Sequence, residues 1–420
     1  MNTLAKLTKL IAILDERLND MINSILHDTK VKALESSWRS VHRLLLSVGE
    51  KNIQVKCLHL TYAELKRDLL DAMDFDQSQI FKKIYSEAFD MPGGEPFGLW
   101  IGDYTFAIND PHSLQVLKQV SDVAAASFCP FTSTVSLASM GIDDRSNWHR
   151  LQDFEYLSKA EFKAWEKLRD YPNAQFVSLV LPALLLRQPY QEQEMGFCFS
   201  EVVQSADDYL WGNPAYALGG VILQAFSEYS WFDFIQGEPF GGQKAGVVQH
   251  YPAKLQTNQS QFKELGMQVY LTESQEWSLN QQGLMTLFTK QYDKALIFYY
   301  MPSIKRAQQN HIDHLLPYLL CVCRFAQYLK VICRDKIGAF SRPAEVEQYL
   351  YNWIRNYCAG NDDLPLTSFG QYPLKDAKIL VRSQVGQASH YRLRIDLLPR
   401  INLQGIDATF ILFSDFKLKG

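Results

Sequence analysis

Two short runs, Phe97 to Ile101 and Phe176 to Leu181, are apolar at nearly every position. A strand without a polar face must be covered from above and below, so these runs call for a sheet with helices on both sides. The chain supplies such helices. Gln79 to Phe89, Ser113 to Ser127 and Lys159 to Arg169 carry apolar residues at helical spacing, and the fold class expected over the first part of the chain is α/β layers. Ile53 to Leu60 alternates and predicts a further strand.

The N-terminal segment places Leu7, Leu10, Ile11, Leu14, Leu18, Met21, Ile22, Ile25 and Leu26 on one helical face, with Asp15, Glu16, Arg17, Asn19 and Asp20 between them. A second helix follows from Lys32 to Val48. Long helices are also expected over Asp313 to Arg334 and Ala344 to Tyr357. Residues 360–373, with two prolines and several Gly, Asn and Asp residues, read as a linker. Beyond it the period changes to two. Tyr391, Leu393, Ile395 and Leu397 point one way and Arg392, Arg394 and Asp396 the other, with neighbouring strands at Lys378 to Arg382 and Ala408 to Phe413. The expected organisation is an α/β region over 1–305 and a region of two helices, linker and terminal strands over 306–420. Three such strands cannot close a barrel, so they lean on the main domain or offer an edge to another chain.

Composition excludes several classes. At 420 residues with 47% hydrophobic and 21% charged residues, the chain can bury a large core. The net charge of −4 gives no global attraction to nucleic acid or anionic membrane. The seven scattered cysteines suit a reducing, cytoplasmic compartment better than a disulfide-stapled module. The first apolar run meets Asp15 and Glu16, which argues against a signal peptide. Val123 to Ile142 has spanning length but contains Pro130 and six Ser and Thr residues, so no membrane insertion is expected.

Catalytic chemistry finds little support. No glycine-rich phosphate loop of the usual patterns occurs, and Pro92-Gly93-Gly94-Glu95-Pro96 puts a carboxylate where an anion would sit. Cys321 and Cys323 lie about 200° apart around a helix and cannot share a metal. His311 and His314, with Asp313 between, could in principle offer ligands, although a polar first helical turn is the simpler reading. No GxSxG elbow is present. Asp103, after Gly102 at a strand end, occupies a place where α/β enzymes put catalytic carboxylates, while a structural turn or cap is the simpler reading. No cofactor is expected. The dense charged block Arg324, Lys330, Arg334, Asp335 and Lys336 lies on a helix otherwise built for burial. It either snorkels to solvent or meets a complementary patch on another chain.

The string Arg324-Phe325-Ala326-Gln327-Tyr328-Leu329-Lys330-Val331-Ile332-Cys333-Arg334-Asp335-Lys336-Ile337-Gly338 resembles a block of the large contractile-sheath subunit of bacterial type VI secretion systems, the TssC, VipB or ImpC family. Further blocks agree in order: Ile25-Leu26-His27 with Leu34 to Arg39; Gly93 to Gly98 with Gly102-Asp103-Tyr104; Leu181-Pro182 with Leu186 to Tyr190; Trp211 to Tyr216; and Phe369 to Leu374. Gln327 stands where the family commonly has histidine, and Gly241 to Pro252 departs from its glycine-rich pattern.

The resemblance implies a sheath-protein fold and a mechanical, non-catalytic role. The implied partners are a small sheath subunit of TssB or VipA type, copies of the chain in a helical lattice around an Hcp inner tube, and a baseplate that anchors the sheath to the envelope. Strands are exchanged between subunits in that family. Tyr391, Leu393, Arg394 and Ile395 are therefore expected at inter-subunit contacts, together with the charged block on the Asp313 to Arg334 helix. In some members an N-terminal extension ahead of Leu4 carries the helix gripped by an AAA+ disassembly ATPase of ClpV type; such an ATPase is a further partner that the resemblance implies, although that extension is not found here. The alternatives are a sheath subunit of another phage-tail-like particle, or a cytosolic α/β enzyme using Asp103.

Overall fold

A computed structural model describes residues 3–49, 53–141, 148, 151, 153–191, 199–232, 234–237, 246–252, 266–289, 295–308, 312–336, 343–359, 371–383, 390–400 and 409–417. The chain opens with α1 (Thr3–Leu26), α2 (Thr29–Leu46), α3 (Tyr62–Asp71) and α4 (Gln79–Phe81), the last continuing as a π-helix over Lys82–Asp90. Then come β1 (Trp100–Phe106), α5 (Pro111–Ser127), β2 (Phe131–Val135), α6 (Lys163–Arg169), β3 (Val177–Leu181), β4 (Leu184–Leu185), β5 (Trp211–Gly212), α7 (Pro214–Tyr229), α8 (Glu273–Gln281) and β6 (Leu284–Thr286). The C-terminal elements are α9 (Leu316–Lys336), α10 (Pro343–Arg355), β7 (Leu374–Ser383), β8 (His390–Pro399) and β9 (Phe410–Lys417).

Helix starts are written in the sequence as caps. Asp28 accepts the Lys30 and Val31 N–H groups ahead of α2, and Asp110 those of His112 and Ser113 ahead of α5, where Pro111 takes the first turn. Thr61 with Glu64, and Thr272 with Gln275, form reciprocal capping boxes for α3 and α8.

Four parallel strands form the central sheet in the order β1-β2-β3-β6. Every residue of β2 and β3 is buried, as a doubly covered sheet requires. Leu179 and Leu181 pack into one core with α5, while Val180 and Met285 face the opposite way into a second core with α7. Gly219 lets α7 press onto the sheet: a Cβ there would stand 2.6 Å from Ile101 Cδ1 on β1 and 3.1 Å from Leu44 Cδ1 on α2. Helix α2 thus lies over α7 as an outer layer. Spanning both cores is α9, with Leu316 and Leu320 in one and Leu319, Val322 and Phe325 in the other. A 20-residue stretch of it, Leu316–Asp335, is long and apolar enough to cross a membrane, yet 72% of the window judged is buried inside this fold. Val123 to Ile142 crosses from α5 through β2 into a turn and is no continuous helix.

Four expectations are corrected. Ile53 to Leu60 runs extended without pairing as a strand among the described residues; the Leu60 carbonyl instead accepts the Tyr104 hydroxyl at 2.8 Å. The first covered strand begins at Trp100 rather than Phe97, whose carbonyl is taken by Gln327 Nε2 of α9 at 2.7 Å. Lys159 to Arg169 is α-helical only from Lys163, after 3₁₀ turns. The long helix starts at Leu316 rather than Asp313, because Leu315 bridges Pro302 and the His314 carbonyl accepts the Ser303 N–H at 2.7 Å.

Candidate assembly surfaces

An amphipathic helix ordinarily hides its apolar face, yet α1 buries none of its 24 residues. Leu4, Leu7, Ile11, Leu14, Leu18, Met21 and Ile25 recur at alternating steps of three and four, and each is between 47% and 69% exposed. That is the spacing of a coiled-coil seam. Leu34, Trp38 and Leu45 of α2 add exposed apolar surface, with Trp38 65% exposed. Patches of this kind mark a partner surface or an aggregation hazard.

A charge network anchors the α1–α2 corner. Arg187 Nε donates to Glu35 Oε1 of α2 at 2.7 Å, and its Nη1 and Nη2 reach the two Glu201 oxygens at 2.5 and 3.2 Å. Arg39 also donates to Glu35 at 2.7 Å, the Tyr190 N–H donates to Glu201 at 3.0 Å, and the Arg187 guanidinium lies 4.3 Å from the Tyr190 ring centroid. Burial opposes ionisation of Glu35, but the hydrogen bonds from Arg187 and Arg39 outweigh it and hold the carboxyl below its ordinary range. For Arg187 burial acts against the charge as well, and the two carboxylates more than compensate, raising its pKa.

Residues from separate blocks of the sequence meet around this corner. Ser36 donates to the Trp211 carbonyl at 2.9 Å, Ser37 to Asp103 Oδ2 at 2.5 Å, and Asn213 to the Gly102 carbonyl at 3.0 Å. Asp103 also interacts with the Tyr216 hydroxyl, whose pKa is raised by burial first and by that carboxylate second. Asp103 therefore clamps β1, α2 and α7 together. Glu201 was absent from the sequence-derived candidates: it lies 174 residues from His27 and 14 from Arg187, in no periodic element.

The second surface is the antiparallel sheet β7-β8-β9. Ala377, Ile379, Leu393, Ile395 and Leu397 bury one face in the larger core, which also holds Val346, Leu350 and Ile354 of α10. On the other face Leu380 and Ile411 are 39% and 43% exposed. At the β7 edge Leu374 pairs with Cys358, and the Val381 N–H donates to Glu347 Oε2 at 2.9 Å. β9 pairs only with β8 among the described residues, leaving its outer edge open.

Tyr391, Leu393, Arg394 and Ile395 all sit on β8, whose backbone is paired on both sides, with β7 and with β9. Leu393 and Ile395 face the core, and Arg394 pairs with Asp396 at 2.8 and 3.0 Å.

The charged block of α9 is largely engaged within the chain. Arg334 Nη1 donates to the Phe89 and Met91 carbonyls at 2.5 and 2.7 Å, and its Nε donates to Asp335 at 2.9 Å. The Lys330 ammonium lies 4.7 Å from the Phe128 ring centroid and 6.0 Å from that of Phe89, where burial lowers its pKa against a smaller opposing pull from Asp90. Arg324 donates to the Tyr328 hydroxyl at 2.5 Å and lies 4.4 Å from that ring's centroid. Lys336 is the last residue of α9, and its side chain lies outside the described residues.

His311 and residues 360–370 of the expected linker also lie outside them. His314 Nε2 and the Tyr300 hydroxyl are 2.8 Å apart. Lys305 donates to Asp313 at 2.6 Å, drawing that carboxylate into an ion pair. Among the described residues no group of three or more His, Cys, Asp or Glu residues gathers as a metal site. Cys321 and Cys323 are buried, as are Cys129 and Cys333; burial raises the Cys333 thiol to about 12.

Comparison with known proteins places the chain in one family. Residues 8–305 match a family model described as EvpB/VC_A0108, tail sheath N-terminal domain, and residues 305–416 one described as EvpB/VC_A0108, tail sheath gpW/gp25-like domain. The chain is 30% identical to the type VI secretion system sheath protein TssC1 of Pseudomonas aeruginosa, over 98% of this chain and 86% of that protein. Solved structures it resembles include a sheath tail protein of Desulfitobacterium hafniense, with 10% identity, TM-score 0.34, and coverage of 72% of this chain and 60% of that one. Another is the contracted helical sheath of the anti-feeding prophage, with 12% identity, TM-score 0.35, and coverage of 73% and 64%. The chain thus spans somewhat less than two thirds of the length of these two solved sheath chains. With both sheath models matched end to end and a sheath relative aligned along nearly its whole length, the chain belongs to the VipB/EvpB tail-sheath family of type VI secretion and is a structural sheath subunit.

Proposed function

We propose that the chain is the large subunit of a contractile sheath, pairing with a small sheath subunit of TssB or VipA type and stacking with copies of itself around an Hcp tube on a baseplate. The observation that carries this reading is the exposed heptad stripe of α1. Covering its seven half-exposed side chains favours association by on the order of 5 to 10 kcal/mol before the entropy of association is deducted. The small subunit offers a helix along this stripe. A strand from a neighbouring copy or from the small subunit extends the sheet at β9, linking subunits by backbone hydrogen bonds. Contacts that repeat head to tail without closing a ring make an open helix. Firing is a lattice rearrangement in which the globular bodies move while the strand links hold.

The role is mechanical rather than catalytic, and the assembly is cytoplasmic and envelope-anchored through its baseplate. Residues 1–305 form the α/β body and 306–420 the linking region. Asp335 and Arg324 of α9, together with Lys336, meet neighbouring copies, whereas Lys330 and Arg334 serve the chain's own packing.

Co-expression with the small subunit tests this. Tubes visible by negative-stain electron microscopy are expected, and Leu14→Asp on the α1 stripe abolishes them while leaving the melting temperature of the isolated chain unchanged. Discrete particles across salt and pH conditions, or tubes unaffected by Leu14→Asp, contradict it.

A further inference from the structure

A helix that carries a partner must leave the body at a defined angle, and α1 has no fully buried residue to fix it; in its last turn Ile22 and Leu26 are only half-buried. Hydrogen bonds tie its last turn down instead. Asn23 Oδ1 accepts the Val202 N–H at 3.0 Å, and Asn23 Nδ2 points at the Ser200 carbonyl at 3.5 Å while donating to Asn19 at 2.9 Å. His27 Nε2 lies 3.3 Å from Glu201 Oε1. Across the corner, Lys32 of α2 donates to the Asp207 carbonyl at 2.5 Å. Only His27 and Asp28 separate the two helices, and the Asp28 side chain caps the second.

The footing of this latch is firm. The Glu201 side chain is 3% exposed and is held by both Arg187 nitrogens and by the Tyr190 N–H, and Arg187 is held in turn by Glu35 of α2. Residues 199–202 therefore form a short polar shelf, fixed on one side to the α2 core layer and gripping α1 on the other. Hydrogen bonds are directional where apolar contacts slide, so a few of them can define a tilt. Their loss leaves α1 helical, because its own backbone bonds are internal.

We propose that Asn23, His27 and Glu201 are positioning residues that set the angle at which α1 leaves the body, and hence the angle at which a partner helix lies along it. This inference rests on the sheath reading. Load applied to a partner on α1 reaches the body through the Ser200–Val202 shelf and the Arg187–Glu35 pair, so the regularity of the lattice depends on residues that touch no partner.

The test uses the full chain co-expressed with the small sheath subunit, comparing wild type, Asn23→Ala/His27→Ala and Asn23→Ala/His27→Gln; the last keeps an N–H donor for Glu201. Three quantities are read: the pair by size-exclusion chromatography, amide exchange in β1, β2 and β3, and the helical rise and twist of tubes by electron cryo-microscopy. In the double-alanine variant the pair and the sheet protection are retained, while tubes of a single rise and twist are lost. The glutamine variant restores part of that order. Double-alanine tubes with wild-type rise and twist overturn the proposal, as does a loss of protection in the parallel sheet, which would make these side chains part of the folding core. Absence of any pair or tube from the wild type overturns the sheath reading itself and this inference with it.

Discussion

Arg187 and Glu35, 152 residues apart, meet at 2.7 Å and fasten α2 to the segment that follows β4. Arg187 also holds Glu201, whose side chain is 3% exposed, so removing it takes the arginine from Glu201 and leaves Glu35 with Arg39 alone. Breaking a buried pair from one side costs about 3–5 kcal/mol. Arg187→Met should therefore lower the stability of the isolated chain by that order, measured by urea unfolding. A change under about 1 kcal/mol would show the network to be solvated.

The same pair gives an acid signature. Glu35 has a folded-state pKa below its ordinary 4.5, so it contributes stability above the unfolded value and loses it as pH falls through the folded one. The difference in melting temperature between wild type and Glu35→Gln should be constant above about pH 5 and shrink as the pH drops below about 4.5. A difference that grows in acid would reverse the assignment.

Glu276 on α8 behaves oppositely. Burial raises its pKa above 4.5, more than the hydrogen bonds from Asn280 and Thr286 lower it. A carboxyl shifted upward costs stability once ionised, and that cost sets in as pH rises from the unfolded pKa through the folded one. Glu276→Gln keeps an acceptor for Asn280, which donates at 2.6 Å. It should raise the melting temperature at neutral pH, with the gain fading below about pH 4.5. A loss at neutral pH would show that the ionised form is the one the fold stabilises.

The C-terminal sheet has one stabilising face and one free face. Ile395, 0% exposed, should cost about 2–5 kcal/mol when truncated to alanine. Ile411→Ala, at 43% exposure, should stay within about 0.5 kcal/mol in the isolated chain while weakening assembly. Chemical unfolding and tube yield together separate the two roles.

What the sequence shows and what it withholds follow from locality. The caps at Asp28, Thr61, Asp110 and Thr272 act on residues two or three away, and the covered runs of β2 and β3 carry their burial in their composition. The alternation in β8 put Leu393, Ile395 and Leu397 on one face, and that face is the buried one. It could not say which strand keeps a free edge, because alternation encodes the face of a strand and says nothing of its neighbours. Sequential antiparallel strands tend to pair in order, which would have put β8 in the middle. Glu201 was invisible for a different reason: its partners are His27 in the corner between α1 and α2 and Arg187 and Tyr190 in the segment after β4, so no spacing encodes it. The Ile53 to Leu60 strand failed because alternation alone does not provide a partner edge.

Electron cryo-microscopy of the chain assembled with the small sheath subunit, at a resolution that separates strands, decides whether this protein works by lending its edges. The account predicts tubes in which a strand from another chain continues the sheet beyond β9 and a partner helix runs along Leu4 to Ile25. A tube with β9 bordered by solvent and the α1 stripe uncovered would contradict it.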